Sequence, residues 1–342
     1  MDTKKKIISF SLVLLIFGFT CYAIFSENDL EEIWKWIHKV NGTYILLGTL
    51  LVPFFICSES VIITYLMKHF GIRVPFYKSC IYSFIGFFYS CITPSASGGQ
   101  PMQMVYMKKD KINLSDASIA LLIITIGYKM VLVLVGIYAI IFHRNWLHQC
   151  MGKYVIFCYL GMVLNIIGIA TMLAMILSTK LVPNAVKKLE KLATRLKILR
   201  KSETRRKKMH ETLEQYKITS EFLNKNKGIF GPVLLISIIQ RGILFYTTYL
   251  IYRGFGLTGT PWYEIVLIQS IISLSVDMLP LPGGMGISEG LFAKMFKPVF
   301  GSVLIMPGML LSRWVSFYSV LFISGIVTLI AYFKYKGIKE TT

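Results

Sequence analysis

Ionisable side chains interrupt several long apolar stretches of this sequence, and their types suit the binding of charged groups. The six residues are Glu59, Lys129, Arg241, Asp277, Glu289 and Arg313. Arginine binds phosphate through two parallel hydrogen bonds, and a carboxylate binds an amine. Arg241, Asp277, Glu289 and Arg313 are therefore predicted to bind a ligand that carries a phosphate. A buried network of arginines and carboxylates explains them equally well, and the other two residues are expected to pair or to reach an interface.

Two glycine-rich motifs break short apolar stretches. The first, TPSASGGQP at 93–101, supplies the candidate binding residues Ser95, Ser97, Gly98, Gly99 and Gln100. The second, LPLPGGMGISEG at 279–290, supplies Pro282, Gly283, Gly284 and Gly286 besides Glu289. Proline ends a helix and glycine permits close approach of the backbone, so the freed amides and a following helix N-terminus can bind an anion. Tight helix packing by small residues is the alternative explanation.

The sequence lacks the residues that several other kinds of chemistry require. Neither glycine motif is followed by Lys-Ser or Lys-Thr, so no nucleotide site is predicted. No Gly-x-Ser-x-Gly element and no plausible Ser–His–Asp set is present, so no catalytic residues are predicted. His143, His148 and Cys150 lie close together but lack a fourth ligand, so we expect neither a metal nor a cofactor.

The composition assigns these residues to a membrane protein. Of 342 residues, 55% are hydrophobic and 16% are charged, whereas soluble proteins carry about 25% charged residues. Several apolar stretches exceed the roughly 18 residues that suffice to cross a bilayer. The sequence therefore predicts an all-α polytopic membrane protein and excludes a soluble enzyme. The net charge of +20 fits basic cytoplasmic loops better than nucleic-acid binding. No motif that combines basic and aromatic residues to recognise nucleic-acid bases accompanies the charge.

The hydropathy pattern predicts about eight hydrophobic segments in one integral membrane domain, 1–342. Six are full spans, at 7–25, 44–67, 116–142, 154–178, 229–252 and 302–333. A short amphipathic helix is expected at 27–40. The two segments that contain the glycine motifs, 79–107 and 262–296, are too interrupted to span, and each is predicted to be a re-entrant hairpin. Non-helical backbone at membrane depth is tolerated only inside protein or along a wet cavity.

The order of these segments indicates an inverted repeat. In order, the six spans and two hairpins read span, span, hairpin, span twice, and the second set starts on the opposite side, an arrangement that builds many transporters. Residues 1–178 contain the first half and also the span at 154–178, and 229–335 contain the rest of the second half. Basic residues support an orientation with both termini in the cytoplasm, since 27 Lys and Arg lie on the predicted inner side against seven on the outer side. The linker at 180–227 holds 15 of them and is either a helix near anionic inner-leaflet lipids or a solvated loop.

The two motifs and the residues around the second resemble the membrane domain of the MprF-type lysylphosphatidylglycerol synthase/flippase family. The flanking residues are QRGILFYTTYLIYRGFG before the second motif and LLSRWVSFY after it. The resemblance covers about residues 7–335, with the PGG-x-G-x-x-E element matched from Pro282 to Glu289. It implies translocation of aminoacylated phosphatidylglycerol to the outer leaflet, which gives resistance to cationic antimicrobial peptides. The synthase domain of full-length members is C-terminal, and we expect no lysyltransferase activity from a chain that ends at Thr342.

The sequence thus favours a flippase for a phosphate-bearing lipid, either an aminoacyl-phosphatidylglycerol such as lysylphosphatidylglycerol or a polyprenyl-phosphate-linked lipid. The alternative is a membrane subunit or anchor of a phosphatidylglycerol lysyltransferase or glycosyltransferase system. Expected partners are the phospholipid substrate and anionic lipids near 180–227, but no nucleic acid. A separate synthase or glycosyltransferase and a second copy of the chain are further candidates. The expected location is the cell membrane.

Overall fold

A computed structural model of the chain describes residues 30–93, 96–178, 181–195, 203–279 and 286–337. These residues form helices joined by short turns, with no β-strand among them. The helices are α1 Leu30–Lys39, α2 Gly42–His69, α3 Phe76–Cys91, α4 Gly99–Lys109, α5 Leu114–Phe142, α6 Arg144–Met151, α7 Val155–Leu177, α8 Leu181–Arg195, α9 Glu203–Lys225, α10 Phe230–Gly254, α11 Trp262–Val276, α12 Ile287–Met295, α13 Lys297–Arg313 and α14 Ser319–Gly337.

Five stretches of helix are long and apolar enough to cross a bilayer. They are Gly42–His69, Leu114–Phe142, Arg144–Leu177, Lys227–Gly254 and Lys297–Tyr335. They coincide with five of the six predicted spans, and the sixth, at 7–25, lies outside the described residues. Large apolar side chains such as Phe54, Phe142 and Ile330 are more than 60% exposed on them, as expected of surfaces that face lipid. The all-α polytopic fold predicted from composition is therefore confirmed.

The first glycine-motif segment is a helical hairpin, α3 and α4, whose two ends meet. Lys78 near the start of α3 forms an ion pair of 2.7 Å with Asp110, which directly follows α4. Tyr82 donates to the same carboxylate at 2.5 Å, and Tyr335 near the end of α14 does so too. Burial raises the pKa of Asp110, but these hydrogen bonds outweigh it and hold that pKa below its usual value. Both flanks of this hairpin and the end of the last helix thus share one end of the bundle.

The second glycine-motif segment is formed by α11 and α12 and opens at the opposite end. It follows α10, and the carbonyl of Gly254 at the end of α10 accepts a hydrogen bond of 3.0 Å from the amide of Asn41. Asn41 caps the start of α2 by accepting from the amide of Thr43, whereas the first hairpin follows the end of α2. The two hairpins therefore enter the bundle from opposite ends, as an inverted repeat requires. The tip of the second, 280–285, lies outside the described residues.

The basic linker contains two helices, and the second packs on the bundle. Thr219 of α9 donates a 2.6 Å hydrogen bond to the buried carboxylate of Asp116 at the start of α5. Tyr216 and Asn224 donate to the backbone carbonyls of Met175 and Leu177 at the end of α7. Leu213 and Leu223 of α9 are buried, so the apolar side of this helix is turned towards protein. Helix α9 therefore covers part of the end of the bundle where the first hairpin opens.

The last predicted span, 302–333, is part of a longer and interrupted helix. Gly301 has φ of +73°, a conformation that residues with a side chain rarely adopt, and it breaks the helical path near the start of α13. A π-helical turn at Trp314–Tyr318 separates α13 from α14. Such turns are frequent at functional sites, and this one follows Arg313 directly.

Candidate functional site

The ionisable residues predicted at membrane depth fall into two groups. The first, here called the central charged cluster, comprises Glu59, Tyr128, Lys129, Arg241 and Asp277. It draws on helices from both halves of the chain and on the second hairpin. The second group is the pair Glu289 and Arg313, which joins the second hairpin to α13.

Lys129 and Asp277 form an ion pair within the central charged cluster. Lys129 is 4% exposed, so its charge has almost no access to solvent. Its ammonium also donates a 3.0 Å hydrogen bond to the side-chain oxygen of Asn165 on α7. The amide nitrogen of Asn165 in turn donates to the carbonyl of Gly161 at 2.9 Å, which turns its oxygen towards the lysine. A buried charge is tolerated when it is paired and hydrogen-bonded in this way.

Glu59 on α2 is held by the first hairpin. Gln103 on α4 donates a hydrogen bond of 2.6 Å from Nε2 to Oε1 of Glu59. The Gln103 side chain passes directly over Gly86 of α3, where a Cβ would come within 2.9 Å of Cγ of Gln103. Gly86 therefore creates the space through which the hairpin reaches the carboxylate. Sequence reasoning did not identify Gln103, although a glutamine in a segment predicted to enter the membrane was a signal of a polar contact.

Arg241 differs from the other cations at this depth. Its guanidinium carbon lies 4.4 Å from the ring centre of Tyr128, a cation–π geometry. Its Nε is buried and has no hydrogen-bond partner. Among the residues that the structure describes, the guanidinium forms no hydrogen bond and no ion pair. Glu59 attracts it only at longer range. Within the described residues, Arg241 is thus a cation at membrane depth whose Nε has no hydrogen-bond partner.

Glu289 and Arg313 are bound to each other in the second group. Nε of Arg313 donates to Oε1 of Glu289 at 2.7 Å, and the other carboxylate oxygen accepts from Ser288 at 2.8 Å and from the amide of Gly286 at 2.7 Å. Arg313 also contacts the Ser288 hydroxyl. The pair borders a cavity of about 110 Å³ that extends along α11 to Val276. At this pair the structure shows the buried arginine–carboxylate network that the sequence offered as one explanation. Ser288 also belongs to this network, and sequence reasoning did not identify it.

The tip of the first hairpin is closely packed. A Cβ on Gly99 would lie 2.7 Å from the carbonyl oxygen of Gly86 and would collide with the hydroxyl of Ser90. The amide of Gly98 donates to Thr93 at 2.9 Å. Gln100 donates to Thr125 and to the carbonyl of Leu121 on α5. The glycines here bring α3 and α4 together, which favours the packing explanation for this motif.

Several candidate residues do not belong to either group in the described part of the chain. Ser97 lies at the exposed hairpin tip, and four of the motif residues, Ser95, Pro282, Gly283 and Gly284, lie outside the described residues. His143 and His148 contact the hydroxyls of Tyr138 and Tyr159. Within the described parts of the chain, no group of three His, Cys, Asp or Glu side chains is arranged to hold a metal ion.

Comparison with known proteins identifies the family. No curated protein matches the chain. The family model described as the lysylphosphatidylglycerol synthase TM region matches residues 6–324, which include both hairpins, the central charged cluster and the Glu289–Arg313 pair. This match covers most of the sequence and agrees with the polytopic helical fold. The chain therefore belongs to the lysylphosphatidylglycerol synthase TM region family.

Proposed function

We propose that this protein is a flippase that moves a phosphate-bearing lipid between the leaflets of the cell membrane, with both chain ends on the cytoplasmic side. The observation that carries the proposal is Arg241, a guanidinium at membrane depth without an ion-pair or hydrogen-bond partner among the described residues. A phosphate that crosses hydrocarbon needs a compensating cation on its path. Arginine meets this need with several donors in a planar fork.

The surroundings of Arg241 support a path rather than a rigid structural contact. Tyr128 supports the guanidinium from one side without neutralising it. Glu59 and Asp277, the nearby acids, are bound to Gln103 and Lys129, so neither forms an ion pair with it. The two hairpins enter the bundle from opposite ends, an arrangement found around the substrate sites of many transporters.

The second cation, Arg313, fits a later position on the same path. It borders a cavity that reaches Val276, the neighbour of Asp277. Because Glu289 already binds it, a headgroup reaches Arg313 only by loosening that pair. A π-helical turn, a feature frequent at functional sites, directly follows Arg313. Transport of an aminoacylated lipid in this way would lower the negative charge of the outer surface.

A leaflet assay in proteoliposomes tests this function. Fluorescent phosphatidylglycerol, lysylphosphatidylglycerol and a polyprenyl phosphate are compared, with dithionite quenching to report the leaflet. Arg241→Ala is expected to slow transport roughly 10- to 100-fold, because a hydrogen bond to a charged group contributes about 1.5–3 kcal/mol. Arg241→Lys keeps the charge and is expected to retain more activity. Arg253→Ala, at the end of the same helix, is the matched control.

Two outcomes would contradict the proposal. Folded Arg241→Ala protein that transports at the wild-type rate would remove Arg241 from the path. Absence of transport by the wild-type protein with all three lipids would favour the alternative, a membrane subunit or anchor of a lysyltransferase or glycosyltransferase system.

A further inference from the structure

A cavity of about 690 Å³ lies between the linker helix α9 and the turn that joins α4 to α5. It is at the end of the bundle where the first hairpin opens, and no residue of the central charged cluster or of the Glu289–Arg313 pair lines it. Gln215 and Thr219 of α9 donate hydrogen bonds to Asp116 on α5, which hold the two sides of the cavity together. A ligand bound there would be independent of the flippase function proposed above.

The N-terminus of α5 forms part of the cavity wall. The first amides of a helix have no partner within the helix, and together with the helix dipole they attract an anion. Asn113 occupies the N-cap position, where a side chain usually accepts from one of these amides. The Asn113 side chain makes no such hydrogen bond and instead donates to Asp116 at 3.4 Å. Within the described part of the chain, the start of α5 therefore keeps amide donors for an anion.

Ser115, the second residue of α5, supplies an independent observation. The residue lines the cavity and is only 3% exposed. Its hydroxyl oxygen is buried and has no hydrogen-bond partner among the residues that the structure describes. Buried hydroxyls are generally hydrogen-bonded, because an unpaired polar group in a protein interior is costly. An oxygen atom of a ligand in the cavity would accept a hydrogen bond from Ser115 and remove this cost.

The charged side chains around the cavity favour an anion. Lys108 at the end of α4 and Lys111 in the following turn both line it. Lys109, between them, does not line it, and its ammonium lies 4.3 Å from the ring centre of Tyr106. The carboxylate of Glu211 on α9 also borders the cavity and opposes an anion there. Two cations and a helix N-terminus thus face one acid.

We propose that this cavity is a phosphate-binding site. The ammonium groups of Lys108 and Lys111, the first amides of α5 and the hydroxyl of Ser115 bind the oxygens of one phosphate group, which accepts hydrogen bonds from all three kinds of donor. The sequence predicted anionic lipids only near 180–227, whereas most of these donors belong to the first hairpin and the helix after it. Two sources supply the same chemistry: the headgroup of a phospholipid in the adjacent leaflet, and a soluble phosphate.

Binding to the full chain is measured with two probes. Inorganic phosphate is added to detergent-solubilised protein at constant ionic strength, and its affinity is taken from the rise in melting temperature. Phosphatidic acid is incorporated into phosphatidylcholine nanodiscs, and its retention is measured by native mass spectrometry. Lys108→Gln/Lys111→Gln should weaken binding of the responding probe roughly tenfold or more, because two charge-assisted contacts are lost. Ser115→Ala should weaken binding about threefold, as a neutral hydrogen bond does.

Two further variants separate this site from a general effect of charge or folding. Lys109→Gln removes the same charge from the same turn but not from the cavity, so it should bind nearly as wild type does. Glu211→Gln removes the opposing carboxylate and should strengthen binding about threefold. A partly unfolded variant would not bind more tightly, so this gain reports the site itself.

The responding probe identifies the source of the phosphate. A response to inorganic phosphate supports a soluble ligand, and retention of phosphatidic acid without such a response supports a lipid headgroup. Absence of binding by both probes would overturn the site. So would equal losses in Lys109→Gln and the double lysine variant, or binding by folded Glu211→Gln protein that is no tighter than wild type.

Discussion

The ammonium of Lys129 binds the carboxylate of Asp277 although 148 residues separate them in the sequence. The pair fastens the second hairpin to α5, a helix of the first half, and Asn165 on α7 completes its hydrogen bonding. The contact therefore ties three helices together at the depth where Arg241 lies.

Removing one member of this pair should destabilise the protein. Lys129→Ala or Asp277→Ala leaves an uncompensated buried charge, at a cost of about 3–5 kcal/mol. Replacing both by apolar residues, as in Lys129→Met/Asp277→Leu, should restore much of the lost stability. Thermal unfolding in detergent measures this, with the exposed Lys153→Met as control. Additive losses in the double variant would show that the two residues do not interact.

Gly99→Ala should disrupt the first hairpin. The added methyl group meets the Gly86 carbonyl at 2.7 Å, and a backbone contact of that kind yields only if α3 and α4 separate. Overpacking of this type costs about 1–3 kcal/mol. Gly231→Ala is the matched control because nothing lies within 4 Å of its Cβ position. Equal melting temperatures for the two variants would contradict the close packing at Gly99.

The Asp110 network gives a pH-dependent contribution to stability. Since the folded-state pKa of Asp110 lies below its unfolded value, the contribution is fully present above the unfolded value of about 3.9 and is lost as pH falls through the folded pKa. Asp110→Asn should lower stability by about 1–2 kcal/mol at neutral pH. The difference from wild type should disappear in strong acid. A difference that persists there would mean that ionisation of Asp110 is not the cause.

The position of the linker can be tested by labelling. Single cysteines placed at 205, in α9, and at 257, after the end of α10, lie towards opposite ends of the bundle. In intact cells a membrane-impermeant maleimide should label position 257, and position 205 only after permeabilisation. Labelling of both from the same side would contradict the inverted arrangement.

Two cysteines report the packing of α2 on the first hairpin. The sulfur atoms of Cys57 and Cys80 are 4.0 Å apart. A disulfide requires the two sulfur atoms to approach to roughly 2.05 Å. Copper-phenanthroline oxidation should therefore cross-link them, as detected by mass spectrometry of a non-reduced digest. Cys80→Ser is the control, and failure of the wild-type protein to cross-link would place α3 elsewhere.

The sequence alone determined the class of fold, the positions of the spans and the two interrupted segments. Hydropathy is a local property of consecutive residues, so each of the five stretches long enough to span overlaps a predicted span, with ends that differ by at most ten residues. The sequence also identified Arg241, Asp277, Glu289 and Arg313, because a charged residue is conspicuous in an apolar segment whatever it contacts.

Tertiary structure decided which of these charges are neutralised. Sequence did not reveal that Glu289 binds Arg313 or that Lys129 binds Asp277, since these contacts join separate helices. Nor did it reveal that Arg241 has no ion-pair partner among the residues that the structure describes. Nor did spacing show that Gly99 packs against Gly86 of its own hairpin. The energy of a charge at membrane depth depends on the side chains around it, and only the packed helices bring those side chains together.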